Sequence, residues 1–213
     1  MSDVHYFFPP ASAYALNRFL FQERGFHGSH TEYYSRSNSY LNEVIDDREG
    51  LPITLSVLYI EVARRLKLNV VGLALPAHFV VRYEGGPQIV DVFDGKLLSR
   101  EEAEAKVKKI TGRTPEDEDF KPVAKKFIIQ RMLHNLINVA EKERDRDSIL
   151  RYLDAIVGID PDAHEERWAR AVFRFQSGRK TGALADCEHL LKYAPAEANL
   201  EAVRELRRIL EKK

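Results

Sequence analysis

The sequence predicts an α+β core, built from a buried helix and a small antiparallel sheet, that is followed by an all-α region of helical repeats. Three observations lead to this fold class. An apolar segment spans residues 51–68, short β-branched runs lie between residues 69 and 93, and apolar positions recur at a constant offset after residue 122. Strands in one part of a chain and helices alone in the next are typical of separate α+β and all-α regions.

Composition excludes several classes of protein. The 213 residues are 44% hydrophobic and 31% charged, which is typical of a globular chain. Lysine plus arginine equals aspartate plus glutamate, 33 of each, so no overall field attracts nucleic acid or a membrane surface. The longest apolar run, 51–60, is too short and too polar to span a bilayer. The single cysteine, Cys187, and the lack of a signal-peptide pattern at 1–5 predict a cytoplasmic protein.

The first fifty residues are polar and aromatic. Their pattern predicts a helix over 13–22 and a loop over 25–39, because the loop is rich in Gly, Ser, Asn and Tyr. A second short helix is expected to begin at 41–45.

The segment 51–68 is apolar on nearly every side of a helix, which predicts a buried central helix. Pro52 suits the first turn of that helix, where a missing N–H costs nothing. Three predicted strands follow, at 69–75, 78–83 and 88–93. The residues Glu84 to Pro87 are typical of a hairpin turn, and Ser99 to Glu102 match a capping box that opens a helix to about Ile110.

An acidic segment separates the two regions. Residues 111–121 contain proline, glycine and a run of carboxylates, which disfavour a regular element. We therefore expect a core domain at 1–114 and a helical domain at 122–213.

The helical region repeats itself. At an offset of 34 residues, these positions coincide: Leu150 with Leu184, Ile156 with Leu190, Val157 with Leu191, Ile159 with Tyr193, and Pro161 with Pro195. This is the tetratricopeptide period of two antiparallel helices per unit. The units are predicted at 126–160 and 163–194, with a capping helix at 197–210. The alternative is an ordinary helical bundle in which the prolines coincide by chance.

His78 and Asp91 are the candidate catalytic pair. If residues 84–87 form the turn, Val80 lies opposite Asp91, which places His78 and Asp91 on one face as diagonal neighbours. The helix–strand–hairpin order is that of papain-like and transglutaminase-like cores. In those cores a cysteine begins the buried helix, a histidine takes its proton, and an acidic or amide residue orients the imidazole. The alternative is a core histidine hydrogen-bonded to Asp91, with a structural role only.

The nucleophile is missing from this arrangement. Pro52 occupies the position of the catalytic cysteine, and it also lacks an N–H that could stabilise an oxyanion. Cys187 lies in the repeats, where a small buried core residue is expected. Ser56 shares the face of Pro52 one turn deeper and is the weak alternative nucleophile, although a packed hydroxyl is the simpler interpretation.

Five segments together resemble the SirB-type transglutaminase-like family, over nearly the whole chain. They are Leu16–Phe21, Gly50–Tyr59, Leu75–Arg82, Val90–Gly95 and Arg131–Leu136. The resemblance implies a transglutaminase-like domain followed by tetratricopeptide repeats, without a firmly assigned biochemical activity.

The chain departs from that family in three places. Ala77 and Lys67 stand where the family commonly has glycine. The segment Asp91–Gly95 reads Asp-Val-Phe-Asp-Gly, where members usually have Asp-Pro-Phe-Asn-Gly. His78 and Asp91 themselves are retained.

No cofactor or metal site is expected. His27 and His30 resemble a metal-binding pair, but no third ligand accompanies them and a polar loop is the simpler interpretation.

These observations favour a non-catalytic protein that binds a protein or peptide partner through its repeat groove, with no nucleic acid or membrane. The alternative is a cytosolic hydrolase of peptidase or amidase type, in which His78 and Asp91 activate water without a covalent intermediate.

Overall fold

A computed structural model describes residues 11–195 and 200–212, which form two compact units that divide between Ile128 and Ile129. The helices are α1 (Ala11–Asn17), α2 (Leu41–Asp47), α3 (Pro52–Arg65), α4 (Arg100–Thr111), α5 (Lys125–Glu143), α6 (Arg146–Ile159), α7 (His164–Gln176), α8 (Lys180–Tyr193) and α9 (Leu200–Glu211). The strands are β1 (His27–Gly28), β2 (Glu49–Gly50), β3 (Val70–Leu73), β4 (Val80–Tyr83), β5 (Ile89–Asp91) and β6 (Lys96–Leu98). The predicted fold class is confirmed.

The first unit is built around α3. Pro52 is the first residue of this helix, as predicted, and Leu55, Tyr59 and Ala63 are buried in the core. Against them pack buried residues of α1 and α2, including Leu16. Helix α1 continues into a π-helical turn at Arg18–Glu23, so the predicted helix over 13–22 is present with a wider final turn.

The sheet has the order β3-β4-β5-β6, with every pair antiparallel. Its two faces are covered by different elements. Val81 and Val90 belong to the cluster around α3, whereas Val80 and Ile89 pack with residues of α4. The alternation along β4 and β5 therefore directs Asp91, two residues after Ile89, to the α4 side of the sheet.

The loop between α1 and α2 is fastened by a short parallel pair, β1 with β2. Backbone N–H groups anchor this loop at further points: Gly28 donates to the carbonyl of Phe93 at 2.9 Å, and Ser29 donates to that of Gly50 at 3.1 Å. Neither the pairing nor strand β6 was expected from the sequence. Both are two or three residues long, too short for a recognisable alternation.

Helix α4 begins with the predicted capping box, since Ser99 and Glu102 each bond the backbone of the other. The segment expected as a linker, 111–121, instead buries Phe120 in the core beside Val107. The compact units divide after Ile128, inside α5 and later than that segment.

The second unit consists of antiparallel helices in the predicted repeat. Helices α6 and α8 occupy equivalent positions, 146–159 and 180–193, at the predicted offset of 34. Helix α9 caps them, with Val203 and Leu206 buried against α7 and α8. The expected start of this cap at residue 197 lies outside the described residues.

A partly buried ionic cluster joins the repeat helices. Asp186 of α8 is 2% exposed and accepts hydrogen bonds from Arg170 at 3.0 Å and Arg174 at 2.8 Å. The same two arginines also bond Asp154 of α6, at 3.0 and 2.7 Å. This cluster, residues 154, 170, 174 and 186, ties three helices together through charged hydrogen bonds.

None of the helices in the described part of the chain has the length and hydropathy needed to span a lipid bilayer.

Candidate functional site

His78 lies in the turn that leads into β4. The turn contains Ala77, which has a φ of 55°, and the N–H of His78 donates to the carbonyl of Leu75 at 3.1 Å. A left-handed φ is a conformation that glycine adopts freely and alanine at a cost of roughly 1 kcal/mol. Lys67, with a φ of 59°, also adopts a left-handed conformation, so both positions that the resemblance would give to glycine are ones where glycine is favoured.

The structure brings His78 and Asp91 together. Val81 pairs with Val90, which is the register expected from a turn at 84–87. His78 Nε2 lies 2.9 Å from Asp91 Oδ2, and both side chains are buried. Because Nε2 bonds Asp91, Nδ1 is the imidazole nitrogen that remains available to another partner.

Lys106 of α4 is a third member of this site that sequence reasoning missed. Its ammonium group contacts Asp91 Oδ2 and donates to Asp94 Oδ2 at 2.9 Å. A signal was present in the sequence. Lys106 follows Ala103 by three residues, on the helix stripe that packs against the sheet, and a lysine on such a stripe requires an anionic partner.

The carboxylate of Asp91 is the centre of the hydrogen-bond network. Besides His78 and Lys106, it accepts the backbone N–H groups of Phe93 at 3.1 Å and Asp94 at 3.3 Å. Burial raises the pKa of Asp91, but the hydrogen bonds and charges of His78 and Lys106 outweigh burial and lower this pKa to about 2. Asp91 is therefore a permanent anion at neutral pH.

The pKa of Lys106 changes in the complementary direction. Partial burial lowers the pKa, whereas hydrogen bonds to Asp91 and Asp94 raise it, and the net effect is a raised pKa. The site consequently holds a stable ion pair next to the imidazole.

The start of α3 offers no free nucleophile among the residues considered from the sequence. Pro52 is buried, and the Ser56 hydroxyl, also buried, donates to the carbonyl of Pro52 at 2.7 Å. Thr54 Oγ1 donates to the carbonyl of Asn38 at 2.7 Å. Both hydroxyls thus act as internal donors in the helix and its neighbouring loop.

Cys187 belongs to the second unit and is wholly buried in α8. Burial, followed by the charge of Asp186, raises the pKa of this thiol to about 11. A buried thiol of high pKa is an inert core residue, as the sequence predicted.

The loop histidines make aromatic and local contacts. His30 packs edge-on against Phe93 with the ring centroids 4.7 Å apart, and Phe93 in turn lies 6.3 Å from the ring of His78. In residues 11–195 and 200–212, no group of three His, Cys, Asp or Glu residues is arranged to hold a metal ion.

Comparison with known proteins identifies two families. Residues 7–134 match the model of the transglutaminase-like superfamily, and residues 136–208 match that of the tetratricopeptide repeat. No solved structure matches the chain significantly.

Curated relatives come from bacteria and animals. A UPF0162 protein of Xylella fastidiosa is 36% identical over 203 residues, which cover 92% of this chain and 72% of that protein. Protein SirB1 of Salmonella typhimurium is 24% identical over 190 residues, covering 87% and 71%. F-box only protein 21 of Mus musculus is 31% identical over 162 residues, which cover 70% of this chain and only 25% of that protein.

Proposed function

Since the chain belongs to the SirB-type transglutaminase-like family, we propose that it is a non-catalytic protein-binding or regulatory protein. One observation carries this proposal: Pro52 stands at the position of the nucleophile, and the nearest hydroxyls of α3 are already bonded inside the core. The Ser56 hydroxyl donates to a backbone carbonyl, and the Asp91 carboxylate accepts from four donors. A buried hydrogen-bond network of this kind also rigidifies the core around Asp91.

The partner is a protein or peptide that binds the tetratricopeptide groove, without nucleic acid, membrane or cofactor. Stacked helical repeats form extended binding surfaces, which supports this assignment. The place of action is the cytoplasm, in keeping with a single buried cysteine.

Partner capture tests the proposal. The full chain is immobilised, cytosolic proteins that bind are identified, and the Kd of each purified partner is measured. Ile159→Asp and Tyr193→Asp replace exposed apolar residues of the repeats, 41% and 56% exposed, and should weaken binding at least tenfold because apolar anchors dominate such interfaces.

Leu66→Asp is the matched control, since Leu66 is an exposed apolar residue of the first unit at 55%. This variant and His78→Gln should bind the partner like the unmodified chain. Equal weakening by Leu66→Asp, or loss of binding in His78→Gln with the fold intact, would contradict binding through the repeats.

A second candidate is a hydrolase of peptidase or amidase type in which His78 activates water. The 2.9 Å contact with Asp91 favours it, because an oriented imidazole is what a general base requires. The assay measures hydrolysis of peptide, amide and ester substrates. If the protein is a hydrolase, His78→Gln should lower the rate of hydrolysis by about 10²-fold or more. If it is a binding protein, the unmodified chain and His78→Gln should show the same background rate.

A further inference from the structure

A polar cavity of about 370 Å³ lies in the first unit, between the loop after β1 and the end of α2. Its lining includes three carboxylates, Glu32, Asp47 and Glu49, and no basic side chain; the neighbouring Arg36 and Arg48 are not among the lining residues. In the described part of the chain, these three carboxylates form no ion pair. The cavity is therefore anionic.

A second, independent observation concerns Ser29, which also lines this cavity. Its side chain is 0% exposed, and its hydroxyl has no hydrogen-bond partner in the described residues. A buried hydroxyl without a partner costs free energy, which a bound ligand or an ordered water recovers by completing its hydrogen bonding. The cavity thus combines negative charge with an unused buried polar group.

The walls of the cavity are held before any ligand arrives. The Ser29 N–H donates to the carbonyl of Gly50 at 3.1 Å, and Asn38 Nδ2 donates to that of Glu32 at 2.6 Å. The Asn38 carbonyl in turn accepts the hydroxyl of Thr54 in α3 at 2.7 Å. The loop is thereby fixed to the core, and a pre-organised site loses little entropy on binding.

We propose that this cavity binds a guanidinium group, and specifically the arginine side chain of a partner protein. Its carboxylates do not converge as a metal site, since no group of three acidic, histidine or cysteine residues in the described ranges could hold a metal ion. A planar guanidinium has five donors in a rigid fork and can bond several carboxylate and hydroxyl oxygens at once, whereas the ammonium of lysine is a compact charge with three donors. The inference does not depend on binding through the repeats.

The test is titration of the full chain with Nα-acetyl-arginine amide, followed by NMR at the backbone amide of Ser29. Asp47→Asn and Glu49→Gln should each weaken binding about tenfold to a hundredfold, the range expected for a charged hydrogen bond. Asp46→Asn is the matched control, because Asp46 is an exposed neighbour on α2 that does not line the cavity. It should leave the Kd unchanged, and equal weakening by Asp46→Asn and Asp47→Asn would overturn the proposal.

Ser29→Ala separates binding from folding. Removal of an unpartnered buried hydroxyl should leave the Tm equal or higher while it weakens binding several-fold. A lower Tm in this variant, together with an unchanged Kd, would show that the hydroxyl serves the fold and not a ligand.

Two further titrations identify the ligand and its source. The lysine analogue, Nα-acetyl-lysine amide, should bind at least tenfold more weakly than the arginine compound; equal affinities would refute guanidinium recognition. An arginine-containing peptide should bind more tightly than agmatine, which carries the same group without a peptide. Tighter binding of agmatine would assign the cavity to a small molecule and overturn the assignment to a partner protein. His78→Gln should bind all of these probes unchanged.

Discussion

Asp91 shows how much of the first unit depends on one carboxylate. Its two oxygens connect His78 before β4, Lys106 on α4, and the backbone of the turn after β5. Three separate segments are thereby held by a single buried anion. Loss of this charge would leave the His78 imidazole and the Lys106 ammonium without their anionic acceptor. Removal of one partner of a buried ion pair is strongly destabilising because the other charge stays buried and unpaired.

Asp91→Asn should therefore destabilise the protein by about 3 kcal/mol. Asp94→Asn is the control, because Asp94 binds the same lysine but is partly exposed, and it should cost less than about 1 kcal/mol. Urea unfolding monitored by circular dichroism measures both values. Similar losses of unfolding free energy in the two variants would show that the burial of Asp91 does not increase its contribution to stability.

The same carboxylate predicts a pH dependence. The folded pKa of Asp91, about 2, lies below the value of about 3.9 for an unfolded aspartate, so its stabilisation is complete above about pH 4. As the pH falls through the folded pKa, about 2 kcal/mol is lost. Urea unfolding from pH 5 to pH 2 should show a loss about 2 kcal/mol larger in the unmodified chain than in Asp91→Asn, because the other carboxylates titrate in both.

Ala77 carries backbone strain beside the site. Ala77→Gly should stabilise the protein by about 0.5 kcal/mol, because relief of the left-handed φ exceeds the entropy that glycine adds to the unfolded chain. Ala74→Gly is the control, since Ala74 is not among the residues with positive φ, and it should destabilise by a similar amount. A loss of stability in both variants would refute the strain argument.

At the scale of elements, long sequence patterns predicted the helices and the repeat correctly, whereas several contacts between elements were not predicted. The buried helix α3, the capped helix α4 and the 34-residue repeat each rest on many residues, so chance departures average out. Register also followed from the turn at 84–87 and brought His78 to Asp91. The helix stripe marked Lys106 as a lysine that needs an anionic partner, but the identity of that partner depends on how α4 packs on the sheet, which no local pattern encodes.

The contact between Gly28 and Phe93 is a second example of such packing. A methyl group added to Gly28 would lie 2.3 Å from the Phe93 ring, so Gly28→Ala should cost about 2 kcal/mol by overpacking. Gly158→Ala in α6 is the matched control, because the added methyl group meets nothing within 4 Å, and it should stabilise the protein by up to about 0.5 kcal/mol. Thermal unfolding of both variants measures the difference.

The ionic cluster around Asp186 should likewise stabilise the packing of the repeat helices. Asp186→Asn should cost about 3 kcal/mol, because Arg170 and Arg174 lose the buried one of their two carboxylate partners and keep only the partly exposed Asp154. Asp147→Asn removes an exposed ion pair with Arg179 and should change stability by less than about 0.5 kcal/mol. Denaturant unfolding that gave equal values would contradict a structural role for the cluster.

At the scale of the whole molecule, the chain has one thiol, and that thiol is buried. Cys187 should resist a thiol reagent in the native protein at pH 8 and react fully in denaturant, because both burial and a pKa of about 11 keep it protonated and shielded. The measurement is the release of a coloured thiolate with time. Rapid native labelling would identify a reactive sulfur and undermine the non-catalytic proposal.

The anchoring of the polar loop to Gly50 and Phe93 also bears on the order of folding. Residues 27–29 leave the ribosome early, but the carbonyls that hold them belong to β2 and to the turn after β5. Such long-range closure is entropically costly before the distant strands have assembled. We therefore expect the loop that lines the acidic cavity to fold late, after the strands to which it is hydrogen-bonded.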